Sequence, residues 1–465
     1  MSEVTVRFVP RGDAKLAAEV LSQIPAEQMA SAIKPTRRTM QRAIRSVEER
    51  ALLPEPSQLN RLSVTVDRSQ FREIFGSVRL KKRATAKKPS LSITTREKYE
   101  APEKALEVPD ALKDTIAFAY VPRPVEFFSP NFVPPIEDIY YLRLLDVQLA
   151  LNASRCHKND WRGHGIKVMM ADSGFWLHPY FLRSGARLIP TESPGSGRAD
   201  LDGSGHGTGE AANIFTIAPD CTVYGVKFGN SAAATLETCI ALKPDVMTNS
   251  WGYNIDYQSR EELRQSDPNF YFELLDLENV ISTAVEQGIC VLFSAGNGHL
   301  AFPASHPEVI SIGGVTYNED GSIEASNYAS GFESKLYPGQ RIPDFCGIVG
   351  RSEPAPMSAH IMLPVPATSD LDGENFPSNE RGTGWGIFSG TSAACPQVAG
   401  AVALLKQINR NLSPSQIRQV LAARSVDVTK GKSATGTRAG PGQDLATGAG
   451  LVDALRACGY VAGIA

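Results

Sequence analysis

Four polar residues lie at the ends of apolar or small-residue runs, each with a glycine close by. They are Asp172 after "GIKVMMA", His206 in "DGSGHGTG", Asn297 in "VLFSAGNGH" and Ser392 in "IFSGTSAACPQVAGAVALL". A serine hydroxyl is a poor nucleophile unless a base takes its proton as it attacks, and that base must be held in the right tautomer by a third group. Asp172, His206 and Ser392 supply such a set in the order Asp, His, Ser. Ser392 opens a run that reads as a helix with Pro396 near its first turn, which puts its hydroxyl and its own N–H at the positive end of a helix. A side-chain amide at Asn297 could donate to an oxyanion. Each residue alone also has a plainer reading: a strand-end Asp as turn former or cap, His206 as a loop residue, Asn297 as a turn Asn, Ser392 as a small residue where a helix packs closely.

The elements that must position these groups read as buried strands alternating with helices. "IKVMMAD", "CTVYGVKF", "DVMTNSW", "ICVLFSAG" and "VISIGGV" are near-continuous apolar runs, and "LLDLENVISTAVEQG" between two of them has helical spacing. The pattern predicts an α/β fold with a mostly parallel sheet covered by helices on both faces. Ligands of such sheets bind outside the carboxyl ends of the strands, where Asp172 and Asn297 stand.

Taken together, "ADSGFWLHPYF", "DGSGHGTG", "NSWG", "SAGNG", "SGTSAACPQVAGAVALL" and "GAGLVDA" resemble the subtilisin-like serine peptidases, the subtilases. The six matches fall in order over residues 140 to 465. The resemblance implies a three-layer subtilisin-like fold and a serine endopeptidase acting on protein or peptide substrates. It implies that Asp172 orients the imidazole, His206 is general base then acid, Ser392 is the nucleophile, and the Asn297 amide with the Ser392 N–H forms the oxyanion hole. By the same resemblance Ser250, Trp251 and Gly252 form the edge that pairs with an extended substrate. Ser294, Ala295, Gly296 and Ala301 then border the pocket for the residue before the scissile bond.

The chain departs from the family where "GHGT" is followed by Gly209, Glu210, Ala211 and Ala212 in place of the common His, Val, Ala, Gly. The serine helix reads "AACPQVAG" where "MATPHVAG" is common. A carboxylate at 210, one helical turn from His206, could raise the imidazole pKa if it pointed inward; a polar residue on a helix is expected instead to face solvent or cap the helix. Cys395 is expected to be a small packed residue rather than a reactive thiol. The chemistry needs no cofactor. The connecting region before the serine motif carries Asp344, Asp370, Asp372 and Glu374, oxygen ligands that leave structural calcium open, although no complete calcium loop is present and a solvated loop is expected.

The sequence has 465 residues and a net charge of −3. Residues 1–135 hold 23 Lys and Arg against 16 Asp and Glu, a net +7 that leaves −10 for the rest, so the two parts are expected to face each other. The first part reads as a small α+β domain over 1–99, with strand "VTVRFV", a helical zone from Ala14 to Ala51 interrupted near Pro25 and Pro35, strand "LSVTV", helix "RSQFREIF" and a further alternating run "SLSITT". A Pro-rich linker over 100–135 and a catalytic domain over 136–465 follow. By the family resemblance the first domain is an inhibitory and folding prosegment. The alternatives are a permanent regulatory domain or partner that restrains a leaderless protease, or a catalytically silent scaffold, which would be expected to lack one of the four polar residues.

The start of the chain lacks a secretory signal, and no run of about 18 apolar residues is present, so a cytoplasmic protein without a membrane span is expected, export by a leaderless route aside. Basic "RLKKRATAKK" has no RNA- or DNA-binding motif around it, and no nucleic-acid partner is expected. Seven cysteines without CxxC or zinc-type spacing should be reduced and buried. An inhibitor protein could be a further partner.

Overall fold

The computed structural model describes residues 3–11, 34–50, 52–56, 61–76, 78–84, 98–127, 131–132, 140–351, 358–373 and 382–464. The "SLSITT" run and the first part of the expected helical zone lie outside these residues. In the first unit, β1 (Glu3–Pro10), β2 (Leu62–Asp67) and β3 (Ile116–Tyr120) form an antiparallel sheet with β1 in the middle and the short strand Glu55–Pro56 beside β2. Among the described residues, two helices cover it. In α1 (Arg37–Glu48), Thr36 caps the start by accepting from the Thr39 N–H at 3.2 Å. In α2 (Arg68–Phe75), the Asp67 carboxylate accepts from the N–H groups of Ser69 and Gln70, and the helix stops at Gly76, whose φ of +64° suits glycine. β3 lies inside the Pro-rich stretch that the sequence suggests is a connector. Its five residues are free of proline and flanked by Pro109 and Pro122, so a strand fits between the breakers.

β1 alternates between two cores. Val4, Val6 and Phe8 pack with Met40, Val47, Phe71 and Phe75 of the helices, while Val9 joins Phe118 and Tyr120 in a core shared with the second unit. Facing the same way, Arg7 and Arg61 enter a buried ion cluster described in the Discussion.

After β4 (Glu126–Phe127) the second unit begins. Its strands include β5 (Lys167–Asp172), β6 (Arg187–Thr191), β7 (Thr222–Lys227), β8 (Val246–Asn249), β9 (Trp251–Asn254), β10 (Cys290–Ser294), β11 (Ala301–Phe302), β12 (Ile310–Tyr317), β13 (Ile323–Ala325) and β14 (Phe345–Val349). Eight of these form one sheet in the order β6-β7-β5-β8-β10-β12, with β13 and β14 both hydrogen-bonded to β12; β13 alone runs antiparallel. Helices α3 (His206–Ile217) and α6 (Thr391–Ile408) cover one face, and α4 (Ala232–Ala241) and α5 (Pro268–Glu286) the other. β5 shows why the strands read as continuous apolar runs: Val168 and Met170 point into the core beneath α3 and α6, Met169 and Ala171 into that beneath α4 and α5. All seven cysteines are free and buried. Among the described residues no helix is long and apolar enough to cross a membrane.

Candidate active site

β5 ends at Asp172, a fully buried carboxylate, and α3 begins at His206. The two meet through His206 Nδ1, which donates to Asp172 Oδ1 at 2.7 Å. Burial alone would lower the imidazole pKa, but Asp172, then Glu210 and Asp202, outweigh it and raise His206 to about 9. Gly207 allows this approach, since a Cβ there would run into Gly174 O and lie 2.9 Å from Asp172 Cβ.

Asp202, part of the quoted "DGSGHGTG" run but given no role there, fastens the loop that presents His206. One carboxylate oxygen accepts from Gly205 N and Ser173 Oγ, both at 2.8 Å; the other accepts from Thr208 N at 2.9 Å and Thr208 Oγ1 at 2.6 Å. Burial raises its pKa against these four bonds. The signal available in the sequence was the Asp four residues before a helix-initiating His, the position of a helix cap reached from outside the first turn.

Ser392 is the second residue of α6, and Pro396 is its sixth, deeper in the helix than the first turn. A proline has no N–H, so the Ser392 carbonyl loses its partner four residues on. Ser250 Oγ supplies the missing donor to Ser392 O at 2.8 Å, and Ser392 Oγ donates to Ser250 O at 3.2 Å. Ser250, singled out for its backbone, therefore ties the edge β9 to the serine through its side chain. Asn297 joins the same cluster: its Oδ1 accepts from Thr391 N at 2.9 Å and Thr391 Oγ1 at 3.0 Å, which leaves Nδ2 as the donating end of the amide. Thr391 Oγ1 also accepts from Gly296 N at 3.1 Å.

The remaining predicted residues lie on or next to the neighbouring strands. Ser294 ends β10, Ala295 N donates to Ile312 O at 2.8 Å, and Ala301 lies on β11, paired with Asn254 at the far end of β9. The Trp251 indole is buried against Phe228 and Phe293, so only the backbone of 251 and 252 forms the edge. That edge is taken: β4 pairs with it antiparallel, Phe127 opposite Trp251 and Glu126 opposite Gly252. A little further on, the 131–132 backbone pairs with Ile387 and Phe388.

Two expectations are corrected. Glu210 neither faces solvent nor caps α3; it is completely buried, because α3 is sandwiched with α6 and all twelve of its residues are buried. The connecting-region acids are not uniformly solvated: Asp370 is exposed as expected, but Asp372 and Asp344 are engaged by the protein. Asp372 is buried and accepts from Thr383 N, Thr383 Oγ1 and Gly384 N at 3.0 to 3.3 Å. Asp344 accepts from Ser311 N at 2.8 Å and faces Arg418 at 3.6 Å. Glu374 lies outside the described residues. The Asp372 and Asp344 oxygens, engaged by N–H groups and a guanidinium, do not fit calcium, and among the described residues no cluster of three or more His, Cys, Asp or Glu converges on a metal position.

Cys395 packs under α6 with its Sγ 3.3 Å from Thr248 Oγ1, and burial pushes the thiol up to about 12. A neutral buried thiol is inert. Iodoacetamide at pH 8 should therefore leave the folded protein unlabelled at Cys395, as checked by peptide mass mapping; rapid native labelling there would contradict the packing.

A mostly parallel α/β sheet under helices on both faces, with an aspartate bonded to a histidine at one strand end and a serine and an asparagine amide tied through the first turn of a core helix, defines a subtilisin-like protein. The Subtilase family model matches residues 163–450, and the chain belongs to that family. Subtilisin Savinase of Lederbergia lenta is 26% identical over 285 residues, covering 58% of this chain and 87% of that protein. Alkaline elastase YaB of Bacillus sp. (strain YaB) is 26% identical over 325 residues, 67% of this chain and 70% of that one. The match spans only 62% of the alkaline protease of Alkalihalobacillus alcalophilus. Among solved structures, fervidolysin from Fervidobacterium pennivorans, a keratinolytic enzyme related to subtilisin, superposes with a TM-score of 0.60 at 17% identity, over 98% of this chain and 61% of that chain. A lanthipeptide protease gives 0.52 at 22% identity, over 68% and 94%.

Proposed function

We propose that the chain is a serine endopeptidase held by its own N-terminal unit. The observation that supports the chemistry is the 2.7 Å bond from His206 Nδ1 to Asp172, which leaves the second ring nitrogen to act as the base. Ser392 Oγ attacks the peptide carbonyl while His206 Nε2 takes its proton. Asp172 keeps the proton on Nδ1 and stabilises the imidazolium. The Asn297 Nδ2 and the Ser392 N–H, at the N-terminus of α6, receive the developing oxyanion. His206 then protonates the leaving amine, and water, activated by the same imidazole, releases the acyl group from Ser392.

The N-terminal role rests on β4. An extended substrate would add to the 251–252 edge as a strand, and Glu126–Phe127 already does so, with the chain running from there toward Ser250 and Ser392. The scissile bond then falls shortly after Phe127, within residues 127–139. Intact masses of wild type and Ser392→Ala, expressed in the same host, test this. Only the wild type should lose the N-terminal segment. If both remain whole, the unit is a standing regulator rather than a self-removed prosegment; if both are cut alike, another protease does it.

A further inference from the structure

The helix pair α3 and α6 is built from small and apolar side chains, yet it encloses three polar groups that the proposed mechanism does not use. Glu210 lies one turn after His206 and is fully buried. Its Oε2 accepts from Asn213 Nδ2 at 2.8 Å; Asn213 Oδ1 faces Gln397 Nε2 of α6 at 3.4 Å. Gln397 is fixed in turn by the β14 backbone, accepting from Ile348 N at 2.8 Å and donating to Ile348 O at 3.0 Å. This relay turns the other oxygen of Glu210, Oε1, toward His206 Nε2 at 3.9 Å, and Oε1 has no hydrogen-bond partner among the described residues.

An unpaired carboxylate oxygen in a dry helix interface is costly to bury unless a positive charge appears beside it. In turnover one does: Nε2 is the atom that takes the Ser392 proton. We propose that Glu210 is a positioning residue for His206, a second carboxylate at the ring nitrogen opposite Asp172 that stabilises the imidazolium. The proposal rests on the peptidase reading for its role in turnover, while the electrostatic contact itself does not.

The charged and titratable groups that face the pair are Asp172 from β5, Asp202 from the loop before α3, and Cys395 from α6. Cys395 is neutral and the two aspartates act on wild type and variant alike. Burial pushes Glu210 up to about 8, with His206 pulling the other way. The two groups therefore titrate as a pair in the same alkaline span. Gln397 and Asn213 stand outside the reacting atoms and act by holding Oε1 in place.

The test compares imidazole titration by NMR in full-length Ser392→Ala and Ser392→Ala/Glu210→Gln, with the His206 resonance assigned by its loss in His206→Ala. Removing the charge should lower the His206 midpoint by about one to two pH units. Glu210→Val, which places the side chain common in the family at this position, should give the same shift and guards against an effect of the glutamine itself. An unchanged midpoint in both variants overturns the proposal. Because no turnover is needed, a failure of the peptidase reading would leave this result intact. In the active protein, Glu210→Gln should move the acidic limb of kcat/KM down by the same interval; a loss of stability with an unmoved limb would mark Glu210 as merely structural.

Discussion

Asp172→Asn is expected to lower kcat about 10⁴-fold with little change in KM. The amide fills the same buried place, but its Nδ2 would donate to His206 Nδ1, which forces the ring proton onto Nε2, where the base must be bare. Asp172 Oδ1 also accepts from Ser173 N at 2.7 Å, so an amide nitrogen in its place gives up that bond, a loss of about 1 kcal/mol that the fold should survive. Steady-state kinetics on a chromogenic peptide and the intact mass read the same defect twice: the variant should turn over slowly and remain uncut at its N-terminal segment. A loss below tenfold would mean that the imidazole does not need Asp172, and the mechanism would fail.

The second large effect is expected at Asp276 of α5. Arg7 Nε donates to Asp276 Oδ2 at 2.6 Å, Arg61 Nε to Oδ1 at 2.7 Å, and Tyr120 OH to Oδ2 at 2.7 Å; Arg7 also pairs with Glu237 of α4 at 2.8 Å, and Arg61 with Asn279. Arg7, Arg61, Glu237 and Asp276 are 0–1% exposed, so part of the positive charge of the N-terminal unit is matched inside the junction, while Lys34–Glu286 and Arg83–Asp267 pair it at more exposed places. Asp276→Ala leaves two guanidiniums short of a counter-charge in a dry place and should cost about 3–5 kcal/mol. Urea unfolding in the Ser392→Ala background, where the chain stays whole, measures it; a change within about 0.5 kcal/mol would mean that water reaches the cluster.

The same carboxylate carries a pH dependence. Burial pushes Asp276 up, but Arg7 and Arg61 outweigh it and hold it at about 2, below the unfolded value of about 4. A depressed folded pKa contributes stability that is complete above about pH 4 and lost as pH falls through 2. Mild acid at pH 5 therefore leaves this part of the junction at full strength.

The parallel sheet was legible because its strands are buried on both faces, and runs such as Val168 to Ala171 can be little else. Asp172, His206, Asn297 and Ser392 were legible because each stands at an element boundary marked by glycine or small residues. What escaped depends on distant parts of the chain. The direction of Glu210 is set by α6, nearly 200 positions away, and a helix buried all round has no polar face to announce it. Strand β3 becomes a strand by pairing with β1 across more than 100 residues, which local proline content obscures. Ser250 was visible as an edge, but its side-chain role follows from the bond that Pro396 cannot make.

The first unit does not own all of its core. Val9, Phe118 and Tyr120 bury one face of its sheet against the second unit, where Phe118 stacks on Phe272 at 5.0 Å between ring centroids. If the N-terminal piece is cut off as proposed, it would leave carrying that bare face and two arginines without their carboxylates. It would be a half-finished domain, better suited to being digested than to returning. Release would then run one way, each copy of the restraint used once and destroyed by the activity it had held back.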